Sequence, residues 1–403
     1  MNELSSLGLI LLLALLAGHL VKFIRVPEVT GYILAGVVVG PSILGWVSHE
    51  NLVALEVLSE VALGLILFSI GSVFQFARFR RFGRRILYLT LAESGCAALA
   101  VGFGLVLFGQ AWQIAALLGV IAIATAPAST LMVIRECNGR GPLSDTLLAM
   151  IAVNNIICLV SYSLVSAAID VAGGQFVTTG LWSTGYSTVF PIVWQIAGSI
   201  SLGYLAGLML SAWASQVTEH GEILILLAGT ILLCVGVSRI LDLSPLIASL
   251  AVGSTMVNLS RRSLKLFEAL ARTDPPFYAI FFVIAGADLD VSLIGSIGML
   301  GAYYVLARPS GKFFGARFAA RQLRLDPRLQ KYLGFGLFAQ ADLAVGLTLA
   351  IDRQFPEFAT VVSTVVLSGV VIYEIIGPIS TRFAIEQSGE ACAEPTQTID
   401  ALT

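Results

Sequence analysis

The chain has 403 residues, 57% of them hydrophobic and only 12% charged, with a formal net charge of −2 at pH 7. Soluble domains carry roughly a quarter charged residues, so this composition excludes a water-soluble fold, and so small a net charge gives no pull on nucleic acid. The expectation is an all-α integral membrane protein whose main partner is the lipid bilayer.

Apolar runs near the length of about 20 residues that a helix needs to cross a bilayer are predicted at 5–22, 28–45, 52–74, 86–108, 113–134, 144–169, 189–213, 221–240, 244–259, 274–287, 291–315, 331–351 and 358–384. The first is read as a retained span, because the positive charges Lys22 and Arg25 follow the apolar run and no basic n-region precedes it. About 13 spans with the N-terminus outside put nineteen of the 23 Lys and Arg residues in inner loops, as cytoplasmic loops require. Trp46, Trp112, Trp182 and Trp194 then fall near outer ends, where indoles anchor at the headgroups.

Thirteen spans divide as six, a linker helix at 189–213 and six, so repeats at about 5–169 and 221–384 enter the membrane from opposite sides. Such inverted repeats place a transport site between discontinuous helices. The polar, mildly acidic stretch 387–403 reads as a disordered cytoplasmic tail after a transmembrane domain of 1–386.

The first break is Ala124-Thr125-Ala126-Pro127-Ala128-Ser129-Thr130 in span five. Pro127 has no N–H, and its ring pushes away the carbonyl of Ile123. Backbone freed in mid-membrane must line a cavity or meet a partner, and Thr125, Ser129 and Thr130 add hydroxyl oxygens. Span six holds Asn154 and Asn155 side by side. Adjacent helix residues point about 100° apart, so one amide is expected to face the span-five break and the other span eleven.

Span eleven carries Arg308 and Lys312, four apart and therefore on one helix face. The second break is Phe338-Ala339-Gln340-Ala341-Asp342-Leu343 in span twelve, and an Asp at a helix centre costs about 2.5–3.5 kcal/mol on translocon scales, which demands a partner or a function. Glu93 in span four and Glu374 in span thirteen are the other acids at depth. Three acids face two bases, with the pairing open.

These motifs resemble the monovalent cation/proton antiporter superfamily, the sodium/proton exchangers and their relatives, over nearly all of residues 5–386. The resemblance is carried by Val26-Pro27-Glu28-Val29-Thr30-Gly31-Tyr32-Ile33-Leu34-Ala35-Gly36 with Gly40-Pro41, by Gly64-Leu65-Ile66-Leu67-Phe68, by the Thr-Ala-Pro break and by Gly141-Pro142-Leu143 before the asparagine pair. Phe281-Phe282-Val283 to Gly286 and Gly311-Lys312 complete it. It implies two broken helices crossing in a mobile core domain, a separate dimerisation domain, a homodimer in the cytoplasmic membrane and elevator-like exchange of a monovalent cation for a proton.

The chain departs from the pattern at span six, where the resemblance implies Asp-Asp or Asn-Asp and the sequence has Asn154-Asn155. An amide offers oxygen to a cation but takes up no proton. Lys312 matches a lysine that, in electrogenic relatives, pairs with the first residue of that pair; with Asn154 there, it is expected to be desolvated without a compensating charge. Proton coupling would then pass to Lys312 or Asp342. The alternatives are transport of an anion or another solute, and a non-transporting sensor or scaffold.

No enzyme is expected, since His19, His49 and His220 are scattered and no nucleophile has a base partner. The five cysteines lack paired spacing, which argues against a metal site or a disulfide. There is no glycine-rich nucleotide fingerprint, so no nucleotide or organic cofactor is expected.

Overall fold

The computed structural model describes residues 3–391 except 25, 73, 75, 173–189, 191, 192, 215, 217–219, 261, 262, 264, 265, 268, 269, 271, 272, 274, 296 and 297. The expected loop cations Arg25, Arg261, Arg262, Lys265 and Arg272, the start of the linker span with Trp182, and the tail from 392 lie outside the described residues. So do the side chains of Arg78, Arg80, Arg81 and Asp342.

Every regular element among the described residues is helical. In chain order they are α1 (Glu3–Phe23), α2 (Glu28–Val39), α3 (His49–Gly71), α4 (Phe76–Leu107), α5 (Trp112–Ile121), α6 (Pro127–Glu136) and α7 (Pro142–Ala172). After a π turn at Trp194–Gly198 come α8 (Ser199–Ala214), α9 (His220–Ile240), α10 (Pro245–Leu259), α11 (Pro275–Ala287), a single helical turn at Ser292–Gly295, α12 (Gly298–Gln322) and α13 (Pro327–Tyr332). A 3₁₀ turn at Leu333–Leu337 leads to α14 (Asp342–Gln354) and α15 (Pro356–Ser388). Their starts follow local chemistry. The Ser48 hydroxyl accepts from the Asn51 N–H ahead of α3, Ser244 does the same for Ile247 ahead of α10, and prolines open α6, α7, α10, α11, α13 and α15, where a missing N–H costs nothing.

Six helices among the described residues are long and apolar enough to cross a membrane, and α3 makes a seventh if its bent halves count as one span. The other predicted spans are shorter helices or broken pairs, except for α12, which at 25 residues is long enough but too polar to be counted. In place of one kinked helix at 113–134 there are two half-helices, α5 and α6, joined by an extended stretch. The 331–351 span is likewise split between α13 with its 3₁₀ turn and α14.

Two groups of helices pack mainly among themselves. One holds α4, α5, α6, α7, α12, α13, α14 and α15; the other holds α1, α2, α3, α8, α9, α10 and α11. Between the groups, α2 meets α6 and α15, and α3 meets α6. Within the first group α12 lies closest on α4, and glycines set the spacing. A Cβ at Gly311 would stand 2.7 Å from the Ala97 Cα, and one at Gly315 would stand 2.8 Å from the Glu93 Cα.

α15 continues to Ser388 and ends on Gly389 in the left-handed region at φ 77°. The chain then turns back onto the start of α7. Both carboxylate oxygens of Glu390 accept backbone N–H groups there, from Leu143 at 2.6 Å and Ser144 at 2.9 Å. The stretch expected as tail from 387 therefore begins as ordered structure, because a carboxylate satisfies the orphan donors and favourable dipole of a helix N-terminus.

Candidate functional site

The two breaks lie against each other. The Ala126 N–H donates to the Ala339 carbonyl at 3.1 Å, so the two extended stretches pair as a minimal β contact in the middle of the helical group. The C-terminal ends of α5 and of the 3₁₀ turn therefore point their unsatisfied carbonyls at one spot, which is electronegative by peptide dipole alone.

Arg308 fills that spot. Fully buried, it donates to the carbonyls of Ala122 (3.2 Å), Ala124 (2.5 Å), Phe338 (2.6 Å) and Ala339 (3.2 Å), drawing both breaks onto one guanidinium. Its planar fork suits this divergent set of acceptors as a lysine would not. The Tyr373 ring lies 4.5 Å below the guanidinium. Gln340 ties the same crossing, its Nε2 donating to the Ile121 carbonyl at 2.9 Å and its Oε1 accepting from the Tyr304 hydroxyl.

The prolines create acceptors that neighbouring side chains occupy. Pro127 frees the Ile123 carbonyl, and Lys312 Nζ donates to it at 2.7 Å. Pro309, inside α12, frees the Val305 carbonyl, and the Tyr373 hydroxyl donates to it at 3.0 Å.

Lys312 is also paired with an acid. Its Nζ lies 2.5 Å from Glu93 Oε1 and 2.9 Å from the Thr125 hydroxyl, which completes its three donors. The other Glu93 oxygen accepts from Asn154 Nδ2 at 2.8 Å. The expectation of an uncompensated lysine is thus corrected: Glu93, on α4, supplies the negative charge that Asn154 lacks, and Asn154 reaches α12 only through it. Of the two amides, it is Asn155 that faces the first break, its Oδ1 accepting from the Thr125 N–H at 3.3 Å. Arg308 takes carbonyls among the described residues, where an acid partner was sought.

Of the remaining expected residues, Thr130 turns its hydroxyl to the Ala126 carbonyl at 3.3 Å. Asp342 is the first residue of α14. Ser129 is fully buried, and its hydroxyl, Asn154 Oδ1 and Asn155 Nδ2 have no hydrogen-bond partner among the described residues. A cavity of about 630 Å³ between the two helical groups is lined by Asp288, Asp290 and His49, by Ser129 and Ala126 at the start of α6, and by Ala341 and Glu374.

A family model described as the transmembrane part of sodium/hydrogen exchangers matches residues 8–386. The chain belongs to the sodium/hydrogen exchanger family. Relatives of this exchanger include the ammonium/H⁺ antiporter subunit AmhT of Alkalihalophilus pseudofirmus, 22% identical with 94% of this chain and 95% of the relative aligned. Another is the Na⁺/H⁺-K⁺ antiporter GerN of Bacillus cereus, 25% identical over 90% and 92% of the two chains. The sodium/proton antiporter MjNhaP1 of Methanocaldococcus jannaschii shares the fold: two of its structures superpose with TM-scores of 0.67 and 0.74 at 17% and 18% identity, each covering at least 95% of both chains. The exchanger is therefore a multi-pass membrane protein of a transporter family, and an enzymatic role falls away.

Gln340, Tyr304, Tyr373 and Ser94, whose hydroxyl lies 3.4 Å from Asn154 Nδ2, belong to this centre without being expected there from the sequence. The signal for Gln340 was present, since an amide beside a predicted break needs partners; the tyrosines look like ordinary aromatic residues of a buried helix and gave none.

Proposed function

We propose that the protein is a secondary active transporter exchanging a monovalent cation for a proton across the cytoplasmic membrane. The observation that carries this reading is the cavity between the two helical groups, which ends on the crossing of two broken helices. The antiporter names of AmhT and GerN support the chemistry. On this reading the group holding α4–α7 and α12–α15 slides as a core against the other group, which forms the dimer contact, in an elevator-like cycle. The broken spans complete a thirteen-span, inverted-repeat arrangement with the N-terminus outside and the C-terminus cytoplasmic.

The site is assigned to the crossing, with Thr125, Ser129, Thr130, Asn154, Asn155 and Asp342 as oxygen ligands. Arg308 and the Lys312–Glu93 pair are charge-compensating scaffold. Coupling is atypical, because the amides of Asn154 and Asn155 exchange no proton. Anion transport is disfavoured: at the crossing Arg308 is saturated by carbonyls and Lys312 by Glu93, which leaves neither of these buried cations for an anion.

Purified protein in liposomes with a pH-sensitive dye tests the reading. Addition of Na⁺, Li⁺, K⁺ or NH₄⁺ should dissipate an imposed ΔpH for at least one of them. No response to any of the four, together with saturable flux of a labelled anion, would overturn it.

A further inference from the structure

Antiport requires one group that holds either the cation or the proton, and neither asparagine of α7 is such a group. We propose that Glu374 is that group: its carboxylate, with the Ser129 hydroxyl that lines the same cavity, forms the site where the transported cation and the proton compete. The inference rests on the antiport reading and names the residue that couples it.

Position carries the argument first. Glu374 lines the cavity together with Ser129 and Ala341 and is 4% exposed, so it stands at the deep end where the breaks cross. Gly377 lies three residues on along α15, on the same helix face. A Cβ at Gly377 would stand 2.6 Å from the Ala339 Cα, so this face of α15 is pressed directly onto the second break. The Ser129 hydroxyl, on α6 and lining the same cavity, is fully buried and has no hydrogen-bond partner among the described residues. Such an atom costs about 1–3 kcal/mol unless something supplies a partner. A cation that lines up with it does.

Local chemistry points the same way. Pro378, inside α15, removes the N–H that the Glu374 carbonyl would otherwise receive, so residue 374 offers oxygen from its backbone as well as its side chain. Hard monovalent cations entering an apolar cavity lose water and need such oxygens, one of them anionic, since a bare charge in low dielectric is prohibitive. Protonation of the carboxylate removes that negative charge and releases the cation. Occupancy by either ion then weakens the other by the same factor.

The charged groups around Glu374 leave this role to it. On α12, Arg308 is bound to four carbonyls and Lys312 to Glu93 of α4. On the cavity wall Glu60 of α3 is paired with Arg239 of α9. His49, Asp288 and Asp290 sit at the mouth. Asp342 begins α14, which packs on α15; Glu28 lies in the first turn of α2, and Arg135 and Glu136 at the end of α6.

The test uses proteoliposomes. Glu374→Gln should lower cation-driven ΔpH dissipation by more than about tenfold, Glu374→Asp should restore exchange with a shifted pH profile, and Ser129→Ala should raise the apparent KM for the cation severalfold. In wild-type protein, N,N′-dicyclohexylcarbodiimide should modify Glu374, read by mass spectrometry, and the transported cation should suppress the adduct in proportion to its concentration. That arm decides the matter if Glu374→Gln does not fold. Full exchange by Glu374→Gln overturns the assignment, and so does absent or cation-insensitive labelling of an exchanging wild type. A wild type that exchanges no cation overturns the antiport reading itself, a result separable from the other two.

Discussion

Lys312 Nζ and Glu93 Oε1 lie 2.5 Å apart with both side chains fully buried, joining α12 to α4 beside the first break. The pair is closed on every side: Ile123 and Thr125 take the remaining lysine donors, and Asn154 donates to the free carboxylate oxygen. A charge pair this well satisfied ties α12 to α4 and leaves none of the lysine donors free.

Removing one partner strands the other in low dielectric, at a cost of about 3–5 kcal/mol. Lys312→Met and Glu93→Met should each lower the thermal midpoint in detergent strongly, whereas the double variant should recover most of the loss. Fluorescence-monitored unfolding of the four proteins in a double-mutant cycle measures the coupling, and additive losses would contradict a direct pair.

The approach of α12 to α4 depends on glycine. A Cβ at Gly315 meets the Glu93 Cα at 2.8 Å, and backbone cannot give way as a flexible side chain would. Gly315→Ala should therefore force the helices apart and cost about 1–3 kcal/mol. It should also expose Cys96, whose Cβ lies 2.8 Å from that same position, to faster alkylation by a maleimide.

Asn155 holds the extended stretch of the first break through the Thr125 N–H. Asn155→Ala leaves that buried N–H without an acceptor, at about 1–3 kcal/mol. Asn155→Asp keeps an acceptor oxygen at the same place and should retain the fold. Hydrogen exchange at Thr125 separates the two, fast in the alanine variant and protected in the aspartate one.

Glu390 caps α7 by three bonds, to the Leu143 N–H, the Ser144 N–H and the Ser144 hydroxyl. Glu390→Ala should cost about 1–2 kcal/mol, the range of a strong helix cap, and should open the end of α15 to limited proteolysis. Glu390→Gln, which keeps one acceptor and loses the charge–dipole contribution, should fall between the two.

Much of this centre was legible in the residues. Pro127 announces a freed carbonyl at Ile123, and the structure places Lys312 on it. Helical spacing turns the two asparagines to different neighbours, and the structure assigns Asn155 to the first break. What did not follow was partnership. Glu93 and Lys312 are 219 positions apart, and nothing in either span says that Gly311 and Gly315 let those two helices touch. An acid was sought for Arg308 because in a sequence charge is counted on side chains; the negative charge it meets belongs to the carbonyl ends of two helical segments, which come together only after both segments break and cross.

By itself, then, the sequence determined the solvent, the all-helical character and a place where a helix must break, since lipid forbids unsatisfied backbone and proline removes its donor. Only the tertiary structure decided which charge answers which. Buried electrostatics depend on distances of a few ångströms between segments far apart in the chain, and those distances are set by how closely the helix backbones approach.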